Sequence, residues 1–450
     1  MKKKIVIPEK IKRIMAVFEK NGGEIYVVGG AVRDLLLGKE VKDWDFATNL
    51  TPEKMKGLFA KNSFCNNRFG TLSIVGKDKE IFEVTTYRKE VGYSDKRHPD
   101  KIIWGKRLED DLARRDFTIN ALALDSQGKE VIDLYEGRED LAKKLIRAVG
   151  SADKRFGEDA LRMMRAVRIA ASLGFRIEKK TFEAMVKNAR LIRQVAGERI
   201  SHELFLILLS PTPADGIKLL HNCGLLAEII PELLAGIGME QKGHHIDDVW
   251  THNLKTLANC QSRNPVTRLA CLLHDVDKAV VVRGEGENRT FHNHEVSGAR
   301  TAVRIGKRLR LSNKQLDLLF RLVRWHMFTA SEKQTDRAIR RLIRNVTVEY
   351  IGEMIDMRRA DRVGSGARET SWRWELFKKR VVEVQKQPFS IKDLKVNGKD
   401  VMRVLKIKPG REVGKVLESL FAEVEENVKL NKRELLLEKI KKISKITERS

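Results

Sequence analysis

The chain has 450 residues, 42% of them hydrophobic and 33% charged, which suits a globular protein of two to four domains and argues against a disordered one. Its 88 Lys and Arg against 62 Asp and Glu leave a net charge of +26, an excess that favours a polyanionic partner, either nucleic acid or an anionic membrane. Four scattered cysteines without a CxxC pair argue against a disulfide scaffold or a thiolate zinc module, and no stretch approaches the ~18 apolar residues of a membrane span.

The basic N-terminus is interrupted at Pro8, Glu9 and Lys10 before any apolar run forms, so no signal peptide is expected and the cytoplasm is the expected compartment. Short apolar or β-branched runs at 25–28, 72–75, 81–86 and 121–124 predict strands. From about residue 151 apolar spacings of three and four predict helices over 161–173, 181–195, 202–209 and 217–223, with prolines 211, 213, 231 and 265 between them. Seven of the ten histidines lie between His244 and His326. The expected organisation is an α+β head (1–148) followed by an all-α remainder: a helical neck (149–238), a histidine-bearing domain (239–385) and a basic tail (386–450). Charge follows that division. Residues 1–150 hold 30 basic and 24 acidic residues, a net of +6, and residues 301–450 hold 37 against 20, a net of +17.

Residues 25–38 read IYVVGGAVRDLLLG, a strand, a Gly-Gly turn and an amphipathic helix. Gly29 and Gly30 let backbone N–H groups approach a phosphate, and Arg33 one turn later reaches toward the same anion. Alone, such a pair reads as a plain tight turn. Downstream, Asp43-Trp44-Asp45 carries aspartates at i and i+2, which in a strand share one face. Two adjacent carboxylates repel unless a cation lies between them, so the pair is a natural Mg²⁺ site when phosphates complete the octahedron. Glu83, in the strand IFEVTTYR, is a candidate third carboxylate.

In the neck, GEDALRMMRAVR (157–168) sets Asp159 and Arg162 three residues apart, on one face if helical, with Arg165 and Arg168 continuing the row. The plain reading is an ion pair and a solvated basic stripe. The chemical alternative is base selection. Cytosine and adenine each present an amino donor beside a ring-nitrogen acceptor, whereas uracil and guanine present the reverse. A carboxylate accepts and a guanidinium donates, so the pair satisfies the first two bases and opposes the others.

Further on, HHIDDVWTHNL (244–254), RLACLLHDVDKA (268–279), FHNHEVSGA (291–299) and RADRVGSG (359–366) collect histidines and aspartates suited to N/O coordination of a divalent metal.

GGAVRDLLLG, DWDFA and RRDFTINALA (114–123) together resemble the class II tRNA nucleotidyltransferase and bacterial poly(A) polymerase family of the DNA polymerase beta superfamily. The resemblance implies a polymerase-beta-like head with a small mixed sheet. It implies that Gly30, Arg33, Asp43 and Asp45 hold the nucleoside triphosphate and metal, that Arg114, Asp116 and Asn120 contact triphosphate and ribose, and that EDALR reads CTP and ATP. GERISHEL (197–204) resembles a further neck motif of structural role. The segments at 244–366 resemble an HD phosphohydrolase-type domain, with His252, His274 and Asp275 matching its motif and His294 and Asp361 as further candidates. Asp277 stands where that family usually has glycine, which implies altered metal binding or a domain kept for architecture. The NGKD and KPGREVG turns at 397–414 resemble the family's tRNA-binding tail. The expected activity is template-independent addition of CCA to tRNA 3′ ends from CTP and ATP, with no membrane and no obligate protein partner. The rivals are an A-adding enzyme, a poly(A) polymerase, and a phosphohydrolase with a decayed head. The segment 90–110 resembles the flexible loop that A addition requires.

Overall fold

The structure, a computed structural model, describes residues 5–59, 62–66, 70–76, 78–92, 101–241, 247–386 and 391–447. It separates into two compact units, residues 1–235 with 305–311, and residues 236–304 with 312–450.

The first unit opens with helix α1 (Glu9–Lys20), whose Ile11, Met15 and Phe18 recur at helical spacing and are fully buried. Strand β1 (Ile25–Val28) runs through the Gly29 turn into α2 (Gly30–Leu36), followed by β2 (Asp45–Thr48), α3 (Pro52–Leu58), β3 (Ser63–Asn66), β4 (Thr71–Val75) and β5 (Ile81–Thr86). Next come β6 (Arg88–Val91), β7 (Lys101–Trp104), α4 (Leu108–Ala113), β8 (Leu122–Leu124), β9 (Val131–Asp133), α5 (Gly137–Ala142) and β10 (Leu145–Ile146). One mixed sheet has the order β3-β4-β5-β2-β1-β8-β9, with only the β2–β5 pair parallel. Val27, Phe46, Ala47, Val84 and Leu122 are buried in its core. The segment 90–110 includes part of an antiparallel ribbon, β6 with β7, and the start of α4; residues 93–100 within it lie outside the described residues.

Helices continue the same unit: α6 (Ala152–Glu158), α7 (Leu161–Leu173), α8 (Lys179–Asn188), α9 (Gly197–Leu208), α10 (Pro213–Asn222) and α11 (Leu225–Ile229). A short strand β11 (Arg176–Ile177) pairs in parallel with β10, tying the helices to the end of the head. Met163, Met164, Ala166 and Val167 bury α7, and α7 packs against α9 and α10.

The rest of the described chain is helical: α12 (Val249–Asn259), α13 (Pro265–Leu273), α14 (Lys278–Val281), α15 (His294–Arg308, its residues from 305 on counted with the first unit), α16 (Asn313–Trp325), α17 (Asp336–Val346), α18 (Ile351–Gly364), α19 (Trp372–Gln385), α20 (Gly398–Leu405), α21 (Arg411–Glu426) and α22 (Arg433–Thr447). Helices α12 and α18 meet closely at Gly364, where an added Cβ would stand 2.9 Å from the Thr256 nitrogen. Leu394, Val401, Leu420, Val424, Leu436 and Ile440 form a core of their own for the last three helices. The NGKD tetrapeptide is a helix start: Asn397 and Asp400 form the reciprocal capping box of α20. Part of the C-terminal basic excess works inside the fold. Buried Arg340 on α17 donates to the Glu425 carbonyl, and Arg344 and Arg337 pair with Glu425 and Glu426 of α21. No helix among the described residues is long and apolar enough to cross a membrane.

Candidate nucleotide site and histidine-aspartate cluster

The edge of β1 builds the first site. Gly29 has φ of +74°, the left-handed region that favours glycine, and turns the chain from β1 into α2. A Cβ there would lie 2.8 Å from Arg115 Nη1 and 3.8 Å from Asp45 Oδ2, so a guanidinium and a carboxylate close over the turn. Register sets the carboxylates: Asp45 stands opposite Val28 on one side and opposite Glu83 on the other. Partners in a parallel pair share a face, which puts Glu83 beside Asp45. Asp43 departs from the expected geometry. Strand β2 begins at Asp45, because β1 ends at the Gly29 turn and offers no ladder partner further back, so Asp43 occupies the preceding bend. The Asp45 carboxyl is raised above its usual pKa by burial first and then by Glu83 and Asp43, with Arg115 and Arg165 opposing. Asp45 and Glu83 are oxygen donors of the kind a hard divalent cation takes, and Arg115 and Arg165 are the positive charges already acting on Asp45.

Arg114, Asp116 and Asn120 divide into two networks. Buried Asp111 of α4 accepts from Arg114 Nε and Arg115 Nη2, each at 2.9 Å, so the Arg114 guanidinium is committed there. Asp116 accepts from the Phe117 N–H at 2.8 Å, Asn120 Nδ2 at 3.0 Å and Arg165 Nε at 2.7 Å. Burial would raise its pKa, but Arg165 and Asn120 outweigh burial and hold the carboxyl well below the usual range. Arg33 Nη1 donates to Asn120 Oδ1 at 2.8 Å, completing a chain Arg33–Asn120–Asp116–Arg165 from α2 to α7.

Asp159 and Arg162 do not share a helix. Helix α6 ends at Glu158, Asp159 is extended (φ −147°, ψ 105°), and α7 starts at Leu161. The break has a visible cause. Asp159 Oδ1 accepts from the Leu161 N–H at 3.1 Å, and Arg199 of α9 grips both carboxylate oxygens at 3.3 and 2.8 Å. Arg162 turns to Glu158 Oε2 at 2.6 Å, and its Nη2 donates to the Arg114 carbonyl at 3.2 Å. The two remain adjacent through the Arg162 N–H, which donates to the Asp159 carbonyl at 3.1 Å. Arg168 pairs with Glu203 of α9 at 2.7 Å, so the row 162, 165, 168 is a set of separate ion pairs rather than a solvated stripe. Arg115, Glu158 and Arg199 escaped sequence reasoning. Arg199 and Glu203 stand four apart in GERISHEL, a spacing that signals one face but names no partner.

In the second unit His252, His274, Asp275, His294 and Asp361 converge and are buried. His252 Nε2 lies 3.1 Å from both His274 Nε2 and Asp361 Oδ1. Asp275 reaches His274 Nε2 with Oδ2 at 3.3 Å and His294 Nε2 with Oδ1 at 3.2 Å. A sixth member was missed: His326, at the end of α16, sets Nε2 3.4 Å from that of His294. Nothing beside His326 in sequence marks it; only its helix-end position was readable. Two ligand groups result, His252–His274–Asp275 and Asp275–His294–His326, with Asp275 common to both. The Nδ1 atoms of His274, His294 and His326 lie 2.9, 2.8 and 2.7 Å from the carbonyls of Cys271, Phe291 and Val323. Donation there turns each Nε2 toward the centre, as in metal-ligating imidazoles. Burial opposes charge on His274, but Asp275 and Asp361 outweigh it and push its pKa up to about 10; burial and that neighbouring charge push His326 down to about 3. A cluster that holds positive charge so firmly suits a divalent cation. Asp277 stands at the start of α14 and accepts from Thr301 Oγ1 at 3.0 Å, and it belongs to neither ligand group.

Four family models match in chain order: the poly A polymerase head domain over 25–147, the probable RNA and SrmB-binding site of polymerase A over 174–237, the HD domain over 249–364, and the putative tRNA nucleotidyltransferase domain 2 over 366–440. A CCA-adding enzyme of Ligilactobacillus salivarius (strain UCC118) is 32% identical over 447 residues, covering 97% of this chain and 98% of that protein. The chain belongs to the CCA-adding enzyme family. A second member, from Limosilactobacillus reuteri (strain DSM 20016), is 46% identical over 219 residues, 46% of this chain and 54% of that protein. Among solved structures, the Bacillus stearothermophilus CCA-adding enzyme in complex with CTP matches with a TM-score of 0.72 at 28% identity, covering both chains completely. The Thermotoga maritima CCA-adding enzyme complexed with tRNA shares the fold at 20% identity and a TM-score of 0.56. Within this CCA-adding family member, the Gly29–Asp45–Glu83 edge falls inside the head match and the His–Asp cluster inside the HD match.

Proposed function

We propose that the protein adds C, C and A to tRNA 3′ ends from CTP and ATP without a nucleic-acid template, in the cytoplasm. The 3′-terminal hydroxyl oxygen attacks the α-phosphorus of the bound nucleotide, and the bond to the departing pyrophosphate breaks. Asp43 and Asp45, with Glu83 alongside, are the residues that hold Mg²⁺, which when bound neutralises charge on the phosphates. Gly29 and Gly30 bring backbone N–H groups to the triphosphate, and the Arg33–Asn120–Asp116–Arg165 chain supports the ribose and phosphate side. Asp159 accepts from the amino group shared by cytosine and adenine, and Arg162 donates to the adjacent ring nitrogen.

The observation that carries this reading is the hydrogen bond from Arg162 Nη2 to the Arg114 carbonyl, which sets the base-reading residue against the RRDF segment of the head. The grip on Asp159 supports it. A carboxylate has about four acceptor sites; Leu161 and Arg199 occupy three, leaving room for one amino donor. Incubating tRNA ending at the discriminator base, at C or at CC with CTP and ATP singly is the test. CTP alone should extend the first two substrates, and ATP alone only the CC end. Extension of every end by ATP alone would contradict the reading.

For the second unit we propose that His252, His274, Asp275, His294, His326 and Asp361 hold divalent cations for phosphate-ester hydrolysis, the cations supplying charge neutralisation at phosphate. Replacing Asp275 by Asn should lower tightly bound metal per chain at least about tenfold, by elemental analysis after dialysis. An unchanged metal content would remove the cluster from consideration.

A further inference from the structure

Beside the His–Asp cluster lies a cavity of about 610 Å³ lined by His274, Asp275, Asp361, Lys278, Arg358 and Arg362 among others. Its cations are not equivalent. Lys278 Nζ is bound to Asp275 Oδ2 at 2.6 Å and to Gln241 Oε1 at 2.6 Å. Arg358 is spent on Asp361, and its guanidinium also faces the Phe328 ring. Arg362 has no carboxylate within ion-pair distance among the described residues, yet it is half-buried, and its guanidinium lies 5.2 Å from the centroid of buried Trp374. A guanidinium stacked on an indole keeps its in-plane N–H groups for another acceptor. Two arginines side by side, one of them uncompensated, also favour an anion between them.

We propose that Arg362, backed by Trp374 and flanked by Arg358, is the specificity-determining anion anchor of this cavity, and that its ligand is a phosphate monoester spanning from the cluster to Arg362. The planar fork suits the oxygens of a phosphate group, and the volume admits a nucleotide-sized ester. The assignment rests on reading the cluster as a cation site, but the arginine contributes its charge whether or not a cation is bound.

The test is calorimetric titration of the full-length protein with glycerol 2-phosphate, an ester with no base to engage the head, in the presence of Mn²⁺. Saturable binding is expected, weakened at least about tenfold by Arg362→Ala. Arg362→Lys should recover part of it by restoring charge without the fork. Arg362→Gln, which keeps the stacking shape, guards against a folding defect, and melting temperature is recorded for each variant. Bound Mn²⁺, measured separately, should be the same in all of them. Wild-type affinity in both Arg362→Ala and Arg362→Gln, or no saturable binding by the wild type, would overturn the proposal. If the protein retains no Mn²⁺ while the ester still binds in an Arg362-dependent way, the cation reading fails and the anchor stands.

Discussion

Replacing Asp45 by Asn should reduce nucleotide incorporation at least about a thousand-fold while leaving tRNA affinity within about twofold. The size follows from the work assigned to this carboxylate. Stabilising charge on the transferring phosphate through a cation is worth several kcal/mol, and each 1.36 kcal/mol is about a factor of ten in rate. Asp45 has the neighbours for that work, with Glu83 in register beside it, Asp43 in the bend before it and the Gly29 turn against its Oδ2. Its raised pKa reflects burial and those carboxylates, so the asparagine variant removes a repulsion and should fold at least as well as the parent. RNA affinity comes from contacts between basic side chains and phosphates, and removing one negative charge does not weaken those. Filter binding of tRNA alongside single-turnover incorporation separates the two effects. Near-normal turnover in the variant would remove Asp45 from the catalytic assignment.

The second large effect belongs to Arg162. Arg162→Ala should lower kcat/KM for CTP about 10- to 100-fold, the worth of a hydrogen bond from a charged donor, and should leave the weak use of UTP nearly unchanged. Selection between them then narrows by the same factor. Inhibition by inorganic tripolyphosphate, which carries no base, should be unaffected, since the proposed function assigns the triphosphate to other residues. Equal losses for CTP and UTP would mean that Arg162 supports the site without reading the base. In the structure the Arg162 and Asp159 side chains have separate partners. The guanidinium bonds Glu158 and the Arg114 carbonyl, while the Asp159 carboxylate is held independently by Arg199. Asp159 and Arg162 thus each have a partner of opposite charge, and the pair is oriented without being spent on itself.

Local pattern carried much of the architecture. The strands at 25–28 and 81–86 and the helix at 161–173 are where period and composition placed them, because each buries a regular apolar face. What failed was local geometry decided by distant partners. Asp159 looks helical from its spacing to Arg162, yet two bonds from Arg199, forty residues later, and one from the Leu161 N–H draw it out of the helix. Asp43 and Asp45 look like strand neighbours, but the end of β1 cuts the ladder between them. His326 joins the cluster only because α16 ends there and its Nδ1 faces the Val323 carbonyl. The charge excess carries a similar lesson. A +26 chain favours a polyanion, yet Arg340, Arg344 and Arg337 in its most basic third are engaged by α21.

The most direct measurement is the sequence of tRNA 3′ ends after incubating tRNA that stops at the discriminator base with the protein and all four nucleoside triphosphates. The account predicts that ends finish at CCA and go no further, with U and G absent. Ends extended by runs of A, or stopped at CC, would contradict it.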